Sequence, residues 1–320
     1  MLTHRGYLLK IKKVTFNFIL LTVLYVGALF WVDAESDVFS HLSVVVEQLP
    51  FLVFLALVSW SIRYARWVWM LRKIGCRFPI WRGFAAYLSG FAFTATPGKV
   101  GELVRIRYFV PMGVSHDKII SAFIFERLLD LVVVLFFSLL IAQHFNIFWF
   151  AASFVGAISF VLMLLVYNPT CLRRFYVALR FFKSKKLLKI AKYLVKGIHG
   201  MRVWVTPQAI LVSFGLGVIA WGIIALSFVW LLNQWSLDID LLMALAIYPL
   251  AMLVGAASMI PGGLGSTEAS IVALLWSIEV PIAQGAVIAV TIRLATLWSA
   301  ILMGAMALFY LERTIINGRK

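Results

Sequence analysis

Charge is scarce in this chain. Only 13% of its 320 residues are Asp, Glu, Lys or Arg, which is about half the share in soluble globular domains. This composition excludes a water-soluble globular protein, and the 63% share of hydrophobic residues excludes a disordered chain. The apolar residues run in blocks of about twenty rather than in short alternating segments, which argues against a transmembrane β-barrel.

Several chemical signatures are also missing. The two cysteines, Cys76 and Cys171, lie in basic segments that we place on the reducing side of the membrane, so no disulfide is expected. The five histidines are scattered without metal-ligand spacing. The glycine loops match neither a Walker A loop nor a dinucleotide fingerprint. We therefore expect no ATP site, no cofactor and no metal.

Long apolar runs fill most of the chain and predict an all-α polytopic membrane protein, in the plasma (inner) membrane. Each run is long enough to cross a hydrocarbon core of about 30 Å. The net charge of +16 then reflects basic residues in cytoplasmic loops, and no nucleic acid partner is expected. Six full crossings are predicted, near Phe16–Val32, Pro50–Met70, Lys118–Gln143, Ile147–Tyr167, Pro207–Leu232 and Pro281–Leu311.

Two further apolar stretches, 80–111 and 240–278, are each broken by proline and glycine. Broken helices persist at membrane depth only where they are buried in protein or line a wet cavity. We therefore predict two re-entrant helical hairpins, although a double crossing of the second stretch gives the same topology and stays open. The predicted tips contain Pro97, Gly98 and Gly101 in the first stretch and Pro261, Gly262, Gly263 and Gly265 in the second.

Basic residues set the predicted orientation. The loop 33–49 contains acidic residues and no Lys or Arg, so it is predicted outside, whereas the ten Lys or Arg between residues 173 and 202 predict an inside segment. Both termini are then cytoplasmic. The same parity requires the first hairpin to return to the cytoplasmic side, which places Arg105 there.

The two broken stretches share a pattern of charged residues. Arg127 follows Glu102 by twenty-five residues, and Arg293 follows Glu268 by the same interval. The predicted topology inverts two halves, residues 1–145 with an inner-face hairpin and residues 146–320 with an outer-face hairpin. Inverted repeats with broken helices are typical of transporters.

Charged and hydroxyl side chains at apolar depth form the predicted substrate site. A charge near mid-bilayer costs about 2.5–3.5 kcal/mol on insertion scales, so it needs a partner or a wet cavity. Half-helix N-termini at the tips favour an anion, and arginine suits bidentate phosphate contact. Pairing of these charges with one another alone stays an alternative. The predicted substrate-binding residues are Lys99, Glu102, Glu126, Arg127, Asp130, Ser266, Thr267, Glu268 and Arg293.

Two basic regions are interpreted as membrane anchors. The segment 171–206 mixes cations with apolar residues and predicts interfacial helices on the cytoplasmic leaflet, with or without selectivity for anionic lipid. A cluster at one end of a crossing is interpreted as belt aromatics and snorkelling arginines rather than a ligand site. It comprises Trp60, Arg63, Tyr64, Arg66, Trp67 and Trp69.

The strings Thr96-Pro97-Gly98-Lys99-Val100-Gly101-Glu102 and Pro261-Gly262-Gly263-Leu264-Gly265-Ser266-Thr267-Glu268 resemble the transmembrane flippase domain of lysylphosphatidylglycerol synthases. The resemblance covers about residues 10–312. It implies lipid translocation through a polar cavity between two pseudo-symmetric halves, with both glutamates and the arginine of the helix after each hairpin, Arg127 and Arg293, at that cavity. The full synthases carry a further soluble aminoacyl-transfer domain. This sequence ends at Lys320 without one, so we expect no lysyl-lipid synthesis.

The sequence thus predicts a lipid flippase that is not an enzyme. Stand-alone relatives imply a phospholipid or a polyprenyl-phosphate-linked sugar as cargo. Membrane lipids are the expected partners, while a lipid-modifying or glycosyltransfer enzyme of the same pathway and a second copy of the chain stay open. Two alternatives remain. One is an intramembrane enzyme on lipid-linked substrates, with Glu102 or Glu268 as acid or base, and the other is an ion-coupled carrier of a small solute.

Overall fold

The computed structural model describes residues 42–180 and 185–317, in which every regular element is helical. The chain divides into two compact units, Met1–Glu47 and Gln48–Lys320, and all packing reported below lies within the second. The α-helices are α1 Leu42–Lys73, α2 Ile80–Ser89, α3 Ile106–Phe109, α4 His116–Ser138, α5 Ile147–Tyr167, α6 Pro169–Arg180, α7 Lys185–Gly200, α8 Pro207–Gln234, α9 Leu241–Ala257, α10 Ser266–Trp276, α11 Ile282–Arg293 and α12 Ser299–Asn317.

Within residues 42–180 and 185–317, four stretches of helix are long and apolar enough to cross a membrane, which confirms an all-α membrane protein. They are Val46–Lys73, Ile147–Tyr167, Pro207–Gln234 and Ile282–Thr314. Each coincides with a crossing predicted from the sequence. The predicted crossing at Phe16–Val32 lies outside the described residues.

The predicted crossing at Lys118–Gln143 is also helical but carries more charge. It corresponds to α4 and a short 3-10 turn, Leu139–Ile141. Glu126 and Asp130 are both buried on α4, so this helix places carboxylates inside the protein rather than in lipid. This helix therefore supplies Glu126, Arg127 and Asp130 to the charged site described below.

Helix starts in the second half of the chain follow local capping rules. Thr206 accepts a hydrogen bond from the Ala209 amide at 3.3 Å, and Pro207 occupies the first turn of α8. The Asp240 carboxylate accepts hydrogen bonds from the amides of Leu242 and Met243 at 3.0 and 3.2 Å, which fixes the start of α9. These oxygens satisfy amides that have no partner within the first turn of a helix.

Both predicted breaks are present in the backbone. In the first broken segment, α2 continues through a 3-10 turn, Gly90–Phe93, and the chain then turns where Gly98 and Lys99 adopt left-handed φ values of 60° and 55°. In the second, α9 ends at Ala257, and Gly262 adopts φ 65° before α10 begins. Helical residues do not adopt positive φ, so neither segment is a continuous helix.

The two Pro-Gly turns lie against each other. A Cβ added to Gly262 would lie 3.2 Å from the Cα of Ala95, just before the first turn. Gly101 is similarly confined, since its Cβ would lie 2.6 Å from the Phe93 carbonyl oxygen. The absence of a side chain at these two positions lets the backbone of each turn approach its neighbour closely.

The last long apolar stretch is interrupted by a π-helical turn, Leu294–Trp298, which separates α11 from α12. Beyond this turn, α12 packs against the first broken segment. A Cβ on Gly304 would lie 2.7 Å from the Phe91 carbonyl carbon. The same length of helix therefore carries Arg293 at the end of α11 and, three turns later, a close backbone contact with the other half of the chain.

The basic segment forms the two helices α6 and α7, as predicted. The apolar side of α7 packs on α4, where a Cβ on Gly197 would lie 3.0 Å from the Cβ of Ile120. Ile198 is buried in the same interface. Part of the apolar surface of this segment is thus covered by protein, while its contact with a membrane surface stays a prediction.

Candidate functional site

Two arginines of α1, Arg63 and Arg66, belong to the charged site. Arg66 is fully buried and Arg63 is 7% exposed. Arg66 Nη2 donates to Asp130 Oδ1 at 2.7 Å, and Arg63 Nη1 donates to Asp130 Oδ2 at 3.4 Å. The interpretation of these arginines as snorkelling anchors is therefore wrong, because their charges are compensated inside the protein by α4 rather than by water at the membrane surface.

Three aromatic residues of the predicted cluster on the same helix are buried as well, whereas Trp69 is partly exposed. Trp60 and Tyr64 are 6% exposed and Trp67 is fully buried, so they are core residues rather than a membrane belt. The central carbon of the Arg105 guanidinium lies 4.9 and 4.5 Å from the ring centroids of Trp67 and Tyr87, and the two rings contact each other with their centroids 5.7 Å apart. The rings thus form cation–π contacts that help to hold a buried cation.

Glu126 is the carboxylate at the centre of this cluster. It is fully buried and accepts a hydrogen bond from the Tyr87 hydroxyl at 2.6 Å. Arg66, Arg105 and Arg127 lie 3.3, 3.5 and 3.3 Å from its oxygens. Besides its sequence neighbour Arg127, Glu126 thus has three further partners, namely Tyr87, Arg66 and Arg105.

Glu102 belongs to the first broken segment and pairs mainly with Arg105. Arg105 Nη2 donates to Glu102 Oε2 at 2.6 Å, and the Thr94 hydroxyl donates to Glu102 Oε1 at 3.0 Å. Arg105 has no solvent exposure. Its predicted position in the cytoplasm is therefore wrong, because the turn following Gly101 folds its side chain back under the Pro-Gly turn and onto Glu102.

Arg127 connects the carboxylates of the cluster. Its guanidinium lies 3.1 Å from Asp130, which confirms the local pair suggested by their spacing, 3.3 Å from Glu126 and 3.8 Å from Glu102. Within the described residues, Nε and Nη2 of Arg127 donate no hydrogen bond that meets the geometric criterion. Arg127 is thus electrostatically neutralised while its directional donors remain available.

The second half of the chain contributes one tight ion pair. Arg293 Nε donates to Glu268 Oε1 at 2.8 Å, and Arg293 Nη2 donates to the Gly262 carbonyl oxygen at 2.6 Å. Both residues are buried. This pairing joins two residues twenty-five positions apart, and the hydrogen bond to Gly262 also ties α11 to the second Pro-Gly turn.

The hydroxyls of the second turn have mainly structural partners. The Ser266 hydroxyl bonds to the Gly263 carbonyl and to Ser258, at 3.2 and 3.0 Å. Thr267 is buried, and its Oγ1 lies against Gly255 and Gly263. Thr267 lines the larger of the two cavities described next.

Two adjoining cavities lie beside the turns. The larger has a volume of about 280 Å³, and its wall is mostly apolar, with side chains from α4, α5 and α9 such as Val134, Phe154 and Leu253. The smaller has a volume of about 70 Å³. Lys99, Arg127, Trp221 and Met252 line both.

The smaller cavity has a strongly cationic wall. Four cations line it, namely Arg63, Lys99, Arg127 and Arg293, together with a single carboxylate, Glu102. Hydroxyl groups of Thr94, Tyr248 and Thr296 complete its polar lining. Such a surface can bind an anion through charge-assisted hydrogen bonds. No group of three His, Cys, Asp or Glu suited to a metal ion occurs in the described ranges.

All nine predicted substrate-binding residues lie near the Pro-Gly turns or on α4 and α11, but not all face a cavity. Lys99, Arg127, Asp130, Glu102, Thr267 and Arg293 line one or both cavities, whereas Glu126 lies behind them in the ion-pair cluster. The sequence missed Arg63, Arg66 and Arg105. The spacing of Trp60, Arg63, Tyr64 and Trp67 on one helical face was a usable signal, because such a stripe marks the buried side of a helix.

Comparison with known protein families places this geometry in context. Residues 18–304 match the family described as the lysylphosphatidylglycerol synthase TM region. A search of curated proteins found no match. The match spans both broken segments and every charged residue of the site, and it suggests a function connected with membrane lipids. The chain therefore belongs to the lysylphosphatidylglycerol synthase transmembrane-region family.

Proposed function

We propose that this protein moves an anionic lipid between the two leaflets of a membrane. The observation that carries the proposal is the pair of joined cavities, a cationic one of about 70 Å³ and a mostly apolar one of about 280 Å³, beside two broken helices. A lipid has the same division between a polar headgroup and apolar chains. The headgroup would occupy the cationic cavity, and the chains would extend along the apolar wall.

The arrangement of the two turns supports an inverted-repeat transporter. We propose six crossings with two re-entrant hairpins, one from each half, residues 1–145 and 146–320. The close contact between Gly262 and Ala95 fits two tips that meet inside the membrane. The equivalence of the halves is supported by their charge pairs, Glu102 with Arg127 at 3.8 Å and Glu268 with Arg293 at 2.8 Å.

Translocation fits the carboxylates better than catalysis does. Glu102, Glu126, Asp130 and Glu268 each have an arginine within 3.5 Å. Each carboxylate thus already serves as the counter-charge of a buried arginine, a role that leaves it less suited to act on a substrate as an acid or a base. We therefore propose that the bound lipid leaves chemically unchanged, which mass spectrometry of lipid recovered after incubation with the protein tests directly.

Leaflet exchange in reconstituted liposomes is the decisive test. Lipids labelled on the acyl chain with a fluorophore are incorporated with intact phosphatidylglycerol, phosphatidic acid or phosphatidylethanolamine headgroups. A membrane-impermeant reductant then quenches the label in the outer leaflet. We expect quenching beyond the outer-leaflet fraction only in liposomes that contain the protein, and faster for the anionic lipids.

A cavity-filling variant provides the matched control. Ala256 lines the apolar cavity, so Ala256→Trp fills it with a large ring and is expected to lower the exchange rate at least about tenfold. Ala273→Trp makes the same change at an exposed position of α10 that lines neither cavity, and should leave exchange unchanged. Exchange no faster than in protein-free liposomes, or equal in the two variants, would refute the proposal.

The proposed orientation places both termini in the cytoplasm of a cell whose inner membrane holds the protein, where a lipid-modifying or glycosyltransfer enzyme is a reasonable partner. Single-cysteine labelling tests the topology. Asp238 lies between α8 and α9 and Arg174 on α6, and both are exposed. In a background without the native cysteines, Asp238→Cys should react with an impermeant maleimide from outside and Arg174→Cys only from inside. The reverse pattern would invert the orientation.

A further inference from the structure

The buried site carries more positive than negative charge. Its charged residues among the described ranges are six cations and four carboxylates, an excess of two positive charges. They are Arg63, Arg66, Lys99, Arg105, Arg127 and Arg293, with Glu102, Glu126, Asp130 and Glu268. An uncompensated charge in a low-dielectric interior is costly. Eight of these charges are buried and balance four against four, whereas Lys99 and Arg127 are partly buried. The excess therefore lies at the accessible side chains of the site, where it favours an anion.

The excess is concentrated at Lys99. Every arginine of the site lies within 4 Å of at least one carboxylate, whereas Lys99 makes no ion pair or hydrogen bond within the described residues. Lys99 sits at the first Pro-Gly turn, where its left-handed φ of 55° costs about 1 kcal/mol or more for a residue with a side chain. Its ammonium group is thus a donor held beside both cavities.

The charges are also segregated around the small cavity. Four of the six cations line it but only one of the four carboxylates does. Arg63 and Arg127 each keep an Nε without a hydrogen-bond partner among the described residues. The Arg63 guanidinium is held over the ring of Trp221 at 4.4 Å. Two guanidinium groups with unused hydrogen-bonding capacity and the side chain of Lys99 therefore belong to the wall of a space of about 70 Å³.

We infer that the headgroup bound there is a phosphate monoester that carries two negative charges and is attached to an apolar chain. A monoester at neutral pH carries −1.5 to −2 charges and matches the excess of two, whereas a phosphodiester supplies one charge. A cavity of about 70 Å³ holds a phosphate group but leaves little room for a second polar substituent. The inference rests on the proposed function only in assigning the apolar cavity to the chain.

Calorimetric titration of the whole protein in detergent tests the inference without measuring transport. The ligands are short-chain phosphatidic acid, which is a monoester, and short-chain phosphatidylglycerol, a diester with the same chains. We expect phosphatidic acid to bind at least about tenfold more tightly, the factor for one additional charge-assisted hydrogen bond. Glycerol 3-phosphate and inorganic phosphate, which lack chains, should compete only weakly.

Lys99 variants identify the residue responsible. Lys99→Met should weaken binding of phosphatidic acid about 10- to 100-fold, with a smaller effect on phosphatidylglycerol, while Lys99→Arg retains most of the preference. The matched control is Lys192→Met, which removes the same charge from an exposed position on α7. It should leave both affinities unchanged.

The outcomes separate this inference from the proposed function. Equal or tighter binding of phosphatidylglycerol, or a preference that Lys99→Met leaves intact, would overturn the inference even if lipids are exchanged between leaflets. Binding of glycerol 3-phosphate as tight as that of phosphatidic acid would overturn the assignment to a lipid headgroup. A preference for phosphatidic acid without leaflet exchange would support the inference and refute the proposed function.

Discussion

The two halves of this molecule hold their buried charges in different ways. In the first half, four arginines share three carboxylates, and Glu126 alone has three arginines within 3.5 Å. In the second half, Arg293 and Glu268 form one pair at 2.8 Å. A shared network can exchange partners while each charge stays compensated, whereas a pair of one arginine with one carboxylate offers fewer alternative arrangements.

This difference suggests that the two halves have different roles, one in contacting a ligand and the other in holding a turn. The first half supplies three of the four cations that line the small cavity, among them Lys99, which has no ion pair within the described residues, so we propose that this half contacts the ligand. In the second half, Arg293 also donates to the Gly262 carbonyl at 2.6 Å and fixes the turn that contacts Ala95. The following variants test these roles.

The largest effect is expected at the centre of the network. Glu126→Gln removes the charge on which Arg66, Arg105 and Arg127 depend, and should lower the stability of the folded protein by about 3–5 kcal/mol, because buried cations lose their counter-charge. Thermal unfolding in detergent measures the change. Glu312→Gln is the control, since its pair with the partly exposed Arg107 should contribute less than about 1 kcal/mol. Similar losses for both variants would contradict the network.

For the Arg293–Glu268 pair, removing both members should cost less stability than removing the arginine alone. Arg293→Met leaves Glu268 without its arginine and should cost about 3 kcal/mol, whereas adding Glu268→Leu should restore part of the loss. The corresponding double change in the first half, Arg105→Met with Glu102→Leu, should not restore stability, because Glu126 and Arg127 then lose partners. A double-mutant cycle in both halves measures this. Equal coupling in the two halves would remove the distinction.

The two turns should differ in their tolerance of a side chain. Gly262→Ala places a Cβ 3.2 Å from Ala95 Cα at a φ of 65° and should cost about 2–3 kcal/mol. Gly98→Ala has nearly the same φ, 60°, but its Cβ would meet nothing closer than 3.8 Å. It should cost only the backbone term of about 1–2 kcal/mol. The two variants are compared by their unfolding midpoints. A larger loss of stability for Gly98→Ala would mean that the two turns are not in close contact.

The smallest effect on stability is expected at Lys99. Lys99→Met removes a cation that has no ion pair within the described residues, so the free energy of unfolding should stay within about 0.5 kcal/mol or rise. Thermal unfolding in the absence of added lipid measures it. A loss comparable to that of Arg293→Met would show that Lys99 has a structural role.

The sequence predicted the broken segments well and singled out Glu268 and Arg293 as site residues because these signals are local or repeated. Pro97-Gly98 and Pro261-Gly262 mark both turns, and the common twenty-five-residue interval links Glu268 to Arg293. It failed at Arg63 and Arg66 because arginine near a helix end ordinarily reaches water. Their partner Asp130 is more than sixty residues away, and only the packing of α4 on α1 reveals it.

Arg105 shows a second limit. Its position after a hairpin suggested a cytoplasmic loop, yet a 3-10 turn, Pro97–Arg105, brings its guanidinium back onto Glu102 three residues earlier. The sequence also could not predict that Lys99 has no ion pair within the described residues, because the absence of a partner depends on where every other charged residue lies in the fold. Charge counting along the sequence therefore located the site but did not reveal its imbalance.

The π-helical turn Leu294–Trp298 sets the rotation of α12 relative to α11 about their common helix axis. Each residue advances an α-helix by about 100°, so the extra residue held in a π-turn rotates everything after it by that angle. Arg293, before the turn, thereby contacts Glu268, whereas Gly304, after the turn, contacts the backbone at Phe91. The architecture depends on the length of this turn more than on the identity of its side chains. Deleting a single residue there would rotate Gly304 away from the backbone that it contacts.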